Sequence, residues 1–506
     1  MTAPQTEPTG AEPDVLRTGA AGGHAIRGGL VRTAGYGVGI LLSIGTSAIL
    51  LRHLGVEQFG QYGTIAAIAG IVLGLTDAGL TSIGARELSV LPAGRERERM
   101  ASTLLAVRLA TTTVGVLVAI GFAVLAYSST MSIGMMLVGA SVVLISLQSM
   151  ATVPLFVSLR FAPLTAFEVA RQILTLAAIG ALALAGAGLV PFFAVQIPIA
   201  AALLIATVIY VRRTFYLSIV IDFPLIRRVV VNTLPMSAAV AMNILYLGAT
   251  VVIVSLVTSD YETGIFVTSA RIMEVLILLP GITMNLALPI LSVAGAEDHP
   301  RLKSALQKMT EVGFLVSTII VVTIVVMAPA IIELLGGPEY APSSQILRIQ
   351  VFAVIGAFMT QTLQFALIAL HRQRSLIVTN ALALTFVLVV GWIATSNAGP
   401  RGAAATVVVA EALLAFAMLL ALKRASSDVS PQFRFVWRLL LAAGAGSLVI
   451  LVPSLTGWIA GPIAATVVII VALVLRAVPP ELITNLVGPI IGPTRTASFM
   501  ERWYPA

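Results

Sequence analysis

Long apolar runs separated by short polar turns set the pattern of this chain, and the segment from Arg52 to Glu87 shows it most plainly. A polar turn, RHLGVEQFGQYG, leads into a run almost free of polar side chains from Thr64 to Leu75, closed by Asp77 and the Arg86-Glu87 pair. A run of this length predicts a transmembrane helix rather than the helix of a soluble core. About fourteen such spans follow one another, each near the roughly 20 residues needed to cross the hydrocarbon. They are 30–51, 61–83, 103–126, 132–156, 164–186, 190–211, 229–257, 264–292, 312–335, 346–370, 376–395, 402–422, 436–454 and 458–477. The pattern predicts an all-α polytopic membrane protein.

An internal echo organises the spans. The turn VEQFGQYGTIA before span 2 is matched by SDYETGIFVTSA before span 8, which sets Gly60 against Gly264. The echo predicts two pseudo-symmetric six-helix bundles, residues 26–214 and 215–425, divided by the charged stretch RRTFY…DFPLIRR. Residues 426–480 then hold two C-terminal helices. Residues 1–25 and 481–506 are expected to be cytoplasmic tails; the first is rich in Pro, Gly, Thr and Glu, and no apolar h-region follows Met1.

Charge fixes the expected orientation. Of 30 Lys and Arg, about twenty-five fall on one side of the spans, while only Arg52 and Arg401 fall on the opposite turns. The basic side is the cytoplasmic one, so both termini are expected there and the number of spans is even. The chain of 506 residues is 58% hydrophobic and 10% charged, with a mean hydropathy of +1.02. A soluble protein keeps roughly 25% charged residues, so most of this surface faces something other than water. The net charge of +8 accordingly points to anionic lipid rather than nucleic acid.

Composition also removes chemistries. With no cysteine, disulfides and thiolate catalysis are excluded, and the four histidines (His24, His53, His299, His371) lack second ligands at helical spacing, so neither metal nor cofactor is expected. No GxxxxGK[ST] loop offers ATP hydrolysis. The outer turns, such as YSST and GGPEYAPS, are too short to hold the acid, base and sugar sites of a membrane glycosyl polymerase, so no enzyme is expected.

What remains is charge where hydrocarbon should be. An ionised side chain at the bilayer centre costs about 2.5–3.5 kcal/mol on insertion scales, which makes each a functional candidate. Arg271 lies seven residues inside span 8, roughly 10 Å deep, with Glu274 one turn further on the same face. The two form either a self-contained ion pair or a cavity wall aimed at an anionic cargo. Glu168 and Arg171 repeat the spacing in span 5, where mutual pairing is the expectation. Glu411 has no local partner and must meet a cavity, a neighbouring helix or a proton. Asp77 is expected to contact the loop bearing Arg86 or an adjacent helix end. Arg32 and Arg52 bracket span 1; Arg52 anchors the outer interface or lines a cavity rim. Asn243, Asn285, Gln364 and Asn380 are polar stations that serve either cargo or helix-helix contact. Pro235, Pro280 and Pro289 in spans 7 and 8, with Pro154 in span 4, are candidate kinks.

The same residues carry a family likeness. The R-x-LG-x-E-x-FG-x-Y turn (Arg52, Leu54, Gly55, Glu57, Phe59, Gly60, Tyr62) and the D-x-GL…RE that follows (Asp77, Gly79, Leu80, Arg86, Glu87) resemble the opening signature of Wzx-type oligosaccharide-lipid flippases. The segment running through Tyr261, Gly264, Phe266, Ala270, Arg271, Leu279, Pro280, Pro289 and Ser292 resembles their spans 7–8, and GGPEYAPSSQILRI and GPRGAAAT their later turns. Multidrug extruders and the lipid II flippase share this superfamily. The resemblance implies two six-helix bundles around a central basic cavity that opens alternately to either side of a bacterial cytoplasmic membrane. It implies a polyprenyl-diphosphate-linked oligosaccharide as cargo, with Arg271 the best-matched cation. Arg32, Arg52, Glu274, Asn243, Asn285, Gln364 and Asn380 would line that cavity, while Asp77, Glu168, Arg171 and Glu411 would serve coupling or structure. A polysaccharide polymerase or glycosyltransferase machinery is the implied partner. Relatives often carry an acid in span 7, where this chain has MNILYLGATVVIVSL. The alternative in the same fold is a proton- or sodium-coupled drug antiporter, for which Glu274 and Glu411 are the available carboxylates.

Overall fold

The computed structural model describes residues 21–91, 94–158, 160–213, 222–297, 299–370, 372–452 and 456–479; side chains at 21–31, 33, 82–83, 223, 226, 228–236, 239, 282–299, 301 and 427 lie outside the described set. Among the described residues every regular element is helical. The first group comprises α1 (Ala21–Asp77), α2 (Leu80–Val90), α3 (Arg95–Ala126), α4 (Ser129–Ala151), α5 (Val153–Val157), α6 (Phe161–Leu184), α7 (Leu189–Ala194) and α8 (Gln196–Arg212). The second comprises α9 (Phe223–Val257), α10 (Asp260–Glu297), α11 (His299–Gly336), α12 (Ser343–Gln350), α13 (Ala353–Ala369), α14 (Gln373–Phe386) and α15 (Trp392–Ala425). Two further helices, α16 (Val436–Ser447) and α17 (Gly457–Val474), pack together against the Leu315–Val326 stretch of α11.

Eleven helical stretches are long and apolar enough to cross a membrane, and 436–451 is a shorter apolar one. Two of the eleven, Ala34–Asp77 with 44 residues and Gln373–Ala425 with 53, are twice the length a bilayer needs. Each contains one glycine with non-helical dihedrals, Gly55 (φ 69°, ψ 176°) and Gly399 (φ 55°, ψ −143°). At each, the helix doubles back on itself. Arg32 and Thr81, from opposite ends of the first hairpin, line one cavity, and Arg372 and Arg424, from opposite ends of the second, line another. Counting the two limbs of each hairpin gives thirteen passages, and the shorter apolar helix at 436–451 stands where the remaining one of the expected fourteen falls. The polar turns expected between spans 1 and 2 and between spans 11 and 12 shrink to a single residue, because only glycine takes a positive φ without strain.

Proline redistributes other spans. Pro198 would clash with the carbonyl four residues earlier, at Ala194, and α7 ends at Ala194. The sixth passage is therefore broken at Val195. Pro154 does not kink span 4 from within; it opens α5 as a separate turn. Pro280 is a buried residue within α10, while the side chains of Pro235 and Pro289 are outside the described set.

The two groups meet along α1 and α10. A Cβ at Gly60 would press on the Asp260 carbonyl and lie 2.7 Å from the Gly264 nitrogen, and a Cβ at Gly264 would press on the Val56 carbonyl. Asp260 precedes Gly264 by four residues, as Val56 precedes Gly60. The contact is reciprocal, which is the mark of a two-fold relation between the helices. The residues that echo each other in sequence are thus the ones that touch.

Candidate functional site

The α1–α10 contact fixes a vertical order of polar groups. At the end opposite the arginine-rich one, four hydrogen bonds among the described residues join the groups. Arg52 donates to the Leu334 carbonyl at 2.7 Å, the Tyr340 hydroxyl to the Leu51 carbonyl at 2.9 Å, and Gln61 to Asp260 at 2.7 Å. The hydroxyls of Tyr127 and Ser255 are 2.7 Å apart. Tyr340 is buried in the turn after α11; burial and the neighbouring Glu339 carboxylate push its phenol above the ordinary value, so it stays a donor. Arg52 is therefore seated on the end of α11.

Below this seal the packing opens. On α10 every residue from Thr263 to Ser269 is buried, but Arg271 is 33% exposed and Glu274 64% exposed at the side chain. Leu278, one turn beyond Glu274, is half exposed. On the facing limb of α1, Tyr62 and Ala66 are half-buried, and Gly70, on the same helical face, is exposed with open space before it. Arg271 sits where the tight contact ends and this cleft begins. Its Nη1 donates to Glu274 at 2.9 Å. The pair predicted from the i,i+3 spacing is formed, yet it is accessible rather than sealed in a dry core.

Three side chains that sequence reasoning did not select as site residues complete this level. Tyr62 lies within electrostatic reach of Arg271 and close to the Gln196 amide. Phe193 stacks on the Tyr62 ring with centroids 5.5 Å apart and an interplanar angle of 12°. Gln196 is the first residue after the break before Pro198, so the proline that ends α7 also aims this amide. The R-x-LG-x-E-x-FG-x-Y turn contained Tyr62, but only as a motif letter; the missed signal was Pro198 two residues after a lone glutamine in an apolar span. Gln196 also lines a cavity of about 140 Å³ with Arg171, Gln172 and Thr175.

Glu168 does not pair with Arg171. It faces a separate cavity of about 320 Å³, with Arg32, Thr81 and Thr165. The spacing of three residues puts both on neighbouring positions of α6, but α8 claims one side and α5 the other. Arg32 there lies over the rings of Tyr36, Phe156 and Phe161 at 5.4–5.9 Å. The partner of Asp77 is also corrected: it is Arg108, well inside α3, at 3.3 Å, rather than the loop bearing Arg86 or an adjacent helix end. Arg108 is 1% exposed and donates weakly to the Leu73 carbonyl at 3.4 Å, while Thr81 donates to Asp77. At the same end Arg99 pairs with Asp222 at 2.7 Å, joining α3 to the cap of α9 across the two groups.

Glu411 lies inside the second group, 5% exposed. The Tyr246 hydroxyl of α9 donates to its Oε1 at 2.8 Å and the Thr360 hydroxyl of α13 to its Oε2 at 3.3 Å. The neighbouring-helix alternative is the one realised. Asn243 and Gln364, both half-buried, stand about one turn from Tyr246 and Thr360 towards the arginine-rich end, and Asn380 is buried in α14. The side chain of Asn285 lies outside the described residues. Glu411, Asn243 and Gln364 are thus set apart from the Arg271 level. Among the described residues no group of three or more His, Cys, Asp or Glu is placed to hold a metal ion.

Comparison with known proteins agrees with this architecture. A solved structure titled "Lipid II flippase MurJ, inward closed conformation" superposes with a TM-score of 0.71 at 12% identity, over 90% of this chain and all of that one. An inward-facing multidrug resistance MATE family transporter of the MOP superfamily gives 0.63 at 13% identity, over 77% of this chain and 95% of that one. An outward-facing one gives 0.53 at 15%, over 83% and 99%. These likenesses establish the fold. No curated protein matches the sequence. A family model does, across residues 49–345, which takes in both members of the Gly60–Gly264 contact and the Arg271 cleft: the chain belongs to the polysaccharide biosynthesis protein family.

Proposed function

We propose that this protein is a flippase that carries polyprenyl-diphosphate-linked oligosaccharide across a bacterial cytoplasmic membrane by alternating access. The observation that carries the reading is Arg271, an accessible guanidinium on the central helix where a closed outer contact gives way to a cleft. A diphosphate cannot cross hydrocarbon unescorted, because an isolated anion in low dielectric is penalised by many kcal/mol. A guanidinium matches phosphate geometry with a fork of donors. Glu274 holds that fork in place while the cleft is empty, and Tyr62 and Gln196 offer further hydrogen bonds for the sugar-phosphate end. Arg32 and Arg52 lie near the inner and outer limits of the path; Asn243, Asn285, Gln364 and Asn380 are its remaining polar stations.

The halves that move are residues 26–214 and 215–425, with 426–480 carried by the second. Both termini face the cytoplasm on this reading, because the arginine-rich end is the inner one. Polymerase or glycosyltransferase machinery would supply and receive the cargo. The test is export of lipid-linked oligosaccharide in cells carrying single substitutions. Arg271→Ala is expected to abolish it and Arg271→Lys to retain part, both at normal membrane abundance. Normal export by Arg271→Ala removes Arg271 from the cargo path.

The ion-coupled reading is favoured by one observation, the Glu411 carboxyl held by two hydroxyls in the second group. We assign it as the coupling site that drives the flippase cycle. Drug antiport would use the same carboxyl with a different cargo, and competition between lipid-linked oligosaccharide and cationic drugs separates the two.

A further inference from the structure

We propose that the arginine-rich mouth of the α14–α15 hairpin binds an acidic diacyl phospholipid of the surrounding membrane. A cavity of about 390 Å³ opens between the first turns of α14 and the last turns of α15. Arg372, Arg374 and Arg424 line it, with Ser375 and Thr379, and no carboxylate lies among its lining residues. Three guanidiniums and the Ser375 hydroxyl around one hollow make a phosphate site, while the Thr379 hydroxyl donates back to the Ser375 and Leu376 carbonyls. The rest of the lining is apolar. Arg374, Val378 and Leu382 recur every four residues along one face of α14, and Leu420 stands one turn above Arg424 on α15.

These apolar positions are open to the exterior: Val378, Leu382 and Leu420 are all exposed, and the row on α15 continues through the exposed Phe416 and Leu413. From Arg374 to Leu382 is roughly 12 Å along the axis, the reach from a headgroup phosphate into the upper acyl chains. Charge at the end and hydrocarbon above it define an amphiphile, so free phosphate would leave the apolar wall bare. Two rows on two helices suit two acyl chains better than one prenyl chain. Basic pockets between helix ends are where acidic headgroups settle. The site is on the outside of the second group, away from the Arg271 cleft, and does not depend on what is transported.

The full-length protein is placed in phosphatidylcholine nanodiscs, and phosphatidylglycerol binding is followed by native mass spectrometry. The wild type is expected to retain phosphatidylglycerol selectively. Arg372→Gln/Arg374→Gln/Arg424→Gln is expected to lose about 100-fold in apparent affinity, since each arginine near an anionic headgroup contributes about fivefold. The corresponding Lys triple should stay within about tenfold of wild type, and Leu382→Glu, a single exposed change, should lose binding where the Gln triple does not fold. A charge-matched control, Arg95→Gln/Arg212→Gln/Arg213→Gln, should bind as the wild type does. Equal loss in the control would mean general attraction only and overturn the site, as would undiminished binding by the Gln triple. Displacement by inorganic phosphate would assign the cavity to a free anion. Stronger competition by a polyprenyl phosphate would assign it to the transported class. Either result overturns the phospholipid.

Discussion

The contact between Gly60 and Gly264 makes a quantitative demand on a single methyl group. In Gly60→Ala the new Cβ would lie 2.7 Å from the Gly264 nitrogen and 3.1 Å from its Cα, with the Asp260 carbonyl also in its path. All three neighbours are backbone atoms of α10, so no rotamer change relieves the overlap; the helices must separate. Overpacking of this kind costs about 1–3 kcal/mol, and in the proposed alternating-access cycle it falls on the state that holds this contact alone, because the contact is absent once these helix ends part. A difference of that size shifts the closed-to-open ratio by about 5–150-fold. The higher helix propensity of alanine, about 1 kcal/mol, applies to both states and leaves their ratio unchanged. Gly121→Ala is the control, since nothing lies within 4 Å of a Cβ there. The native chain has no cysteine, so Thr130→Cys and Ala341→Cys, exposed at the outer end of each group, introduce the only thiols for a spin-label pair. Pulsed dipolar spectroscopy should show a longer distance population in Gly60→Ala, and Gly264→Ala should reproduce it. The two combined should be less than additive, because they strain one contact. An unchanged distance distribution in Gly60→Ala refutes the claim that this contact closes the outer gate.

Three further outcomes are expected. Asp77→Asn leaves Arg108 buried without its counter-ion. The loss should lie toward the lower end of about 3–5 kcal/mol, since Asp77 is one-third exposed, and adding Arg108→Met should restore part of the melting temperature in detergent. Asp222→Ala removes both the pair with Arg99 and the cap on Leu225, so a reporter thiol at Gly70→Cys should label faster from the arginine-rich side; Arg99→Ala should do so less, the exposed pair being worth at most about 1 kcal/mol. Glu411→Gln keeps the buried contacts in shape but removes the carboxylate, so export should lose its dependence on an ion gradient at normal protein abundance; retained dependence refutes the coupling assignment.

The membrane fold and most passages were legible because an apolar run of twenty residues has one physical interpretation. The dyad was legible in part: the echo around Gly60 and Gly264 marked two copies, but only the packed helices show that the echoing glycines touch. Pairings were harder to read. Asp77 and Arg108 are thirty-one positions apart, and nothing in either helix's own spacing announces the other. Glu168 and Arg171 had the right spacing and no pair, because neighbouring helices draw them into different cavities. Glu411 found Tyr246 and Thr360 from two distant spans, both of which read locally as ordinary helix-lining residues. Gln196 depended on Pro198, whose effect is to break a helix and so re-aim a side chain, a consequence visible only once the break is located.

The strength of the lobe-to-lobe contacts bears on whether the molecule can cycle. Four hydrogen bonds at about 0.5–1.5 kcal/mol each amount to a few kcal/mol, and the same end buries Phe59 edge-on against Tyr340, with Leu51, Leu54, Phe266 and Val267, in one apolar cluster that spans both groups. Further along α1, Ile71 packs on Gly248 and Ile244 on Gly74; the arginine-rich end adds one exposed ion pair, worth at most about 1 kcal/mol, and Leu225 packed on the Leu80–Val211 cluster, an apolar burial of about 1.5–3 kcal/mol. Apolar burial across the groups therefore outweighs the polar contacts at both levels. A cargo that draws Arg271 from Glu274 changes the balance at the level between them. Moving such an equilibrium from mostly closed to mostly open takes about 5.5 kcal/mol of differential binding, within reach of a diphosphate on a guanidinium in a cleft of low dielectric. Because Phe59 and Tyr340 also close one end with apolar surface, a charged contact at Arg271 can tip the balance only if the parting groups bury comparable apolar surface again in the alternate state.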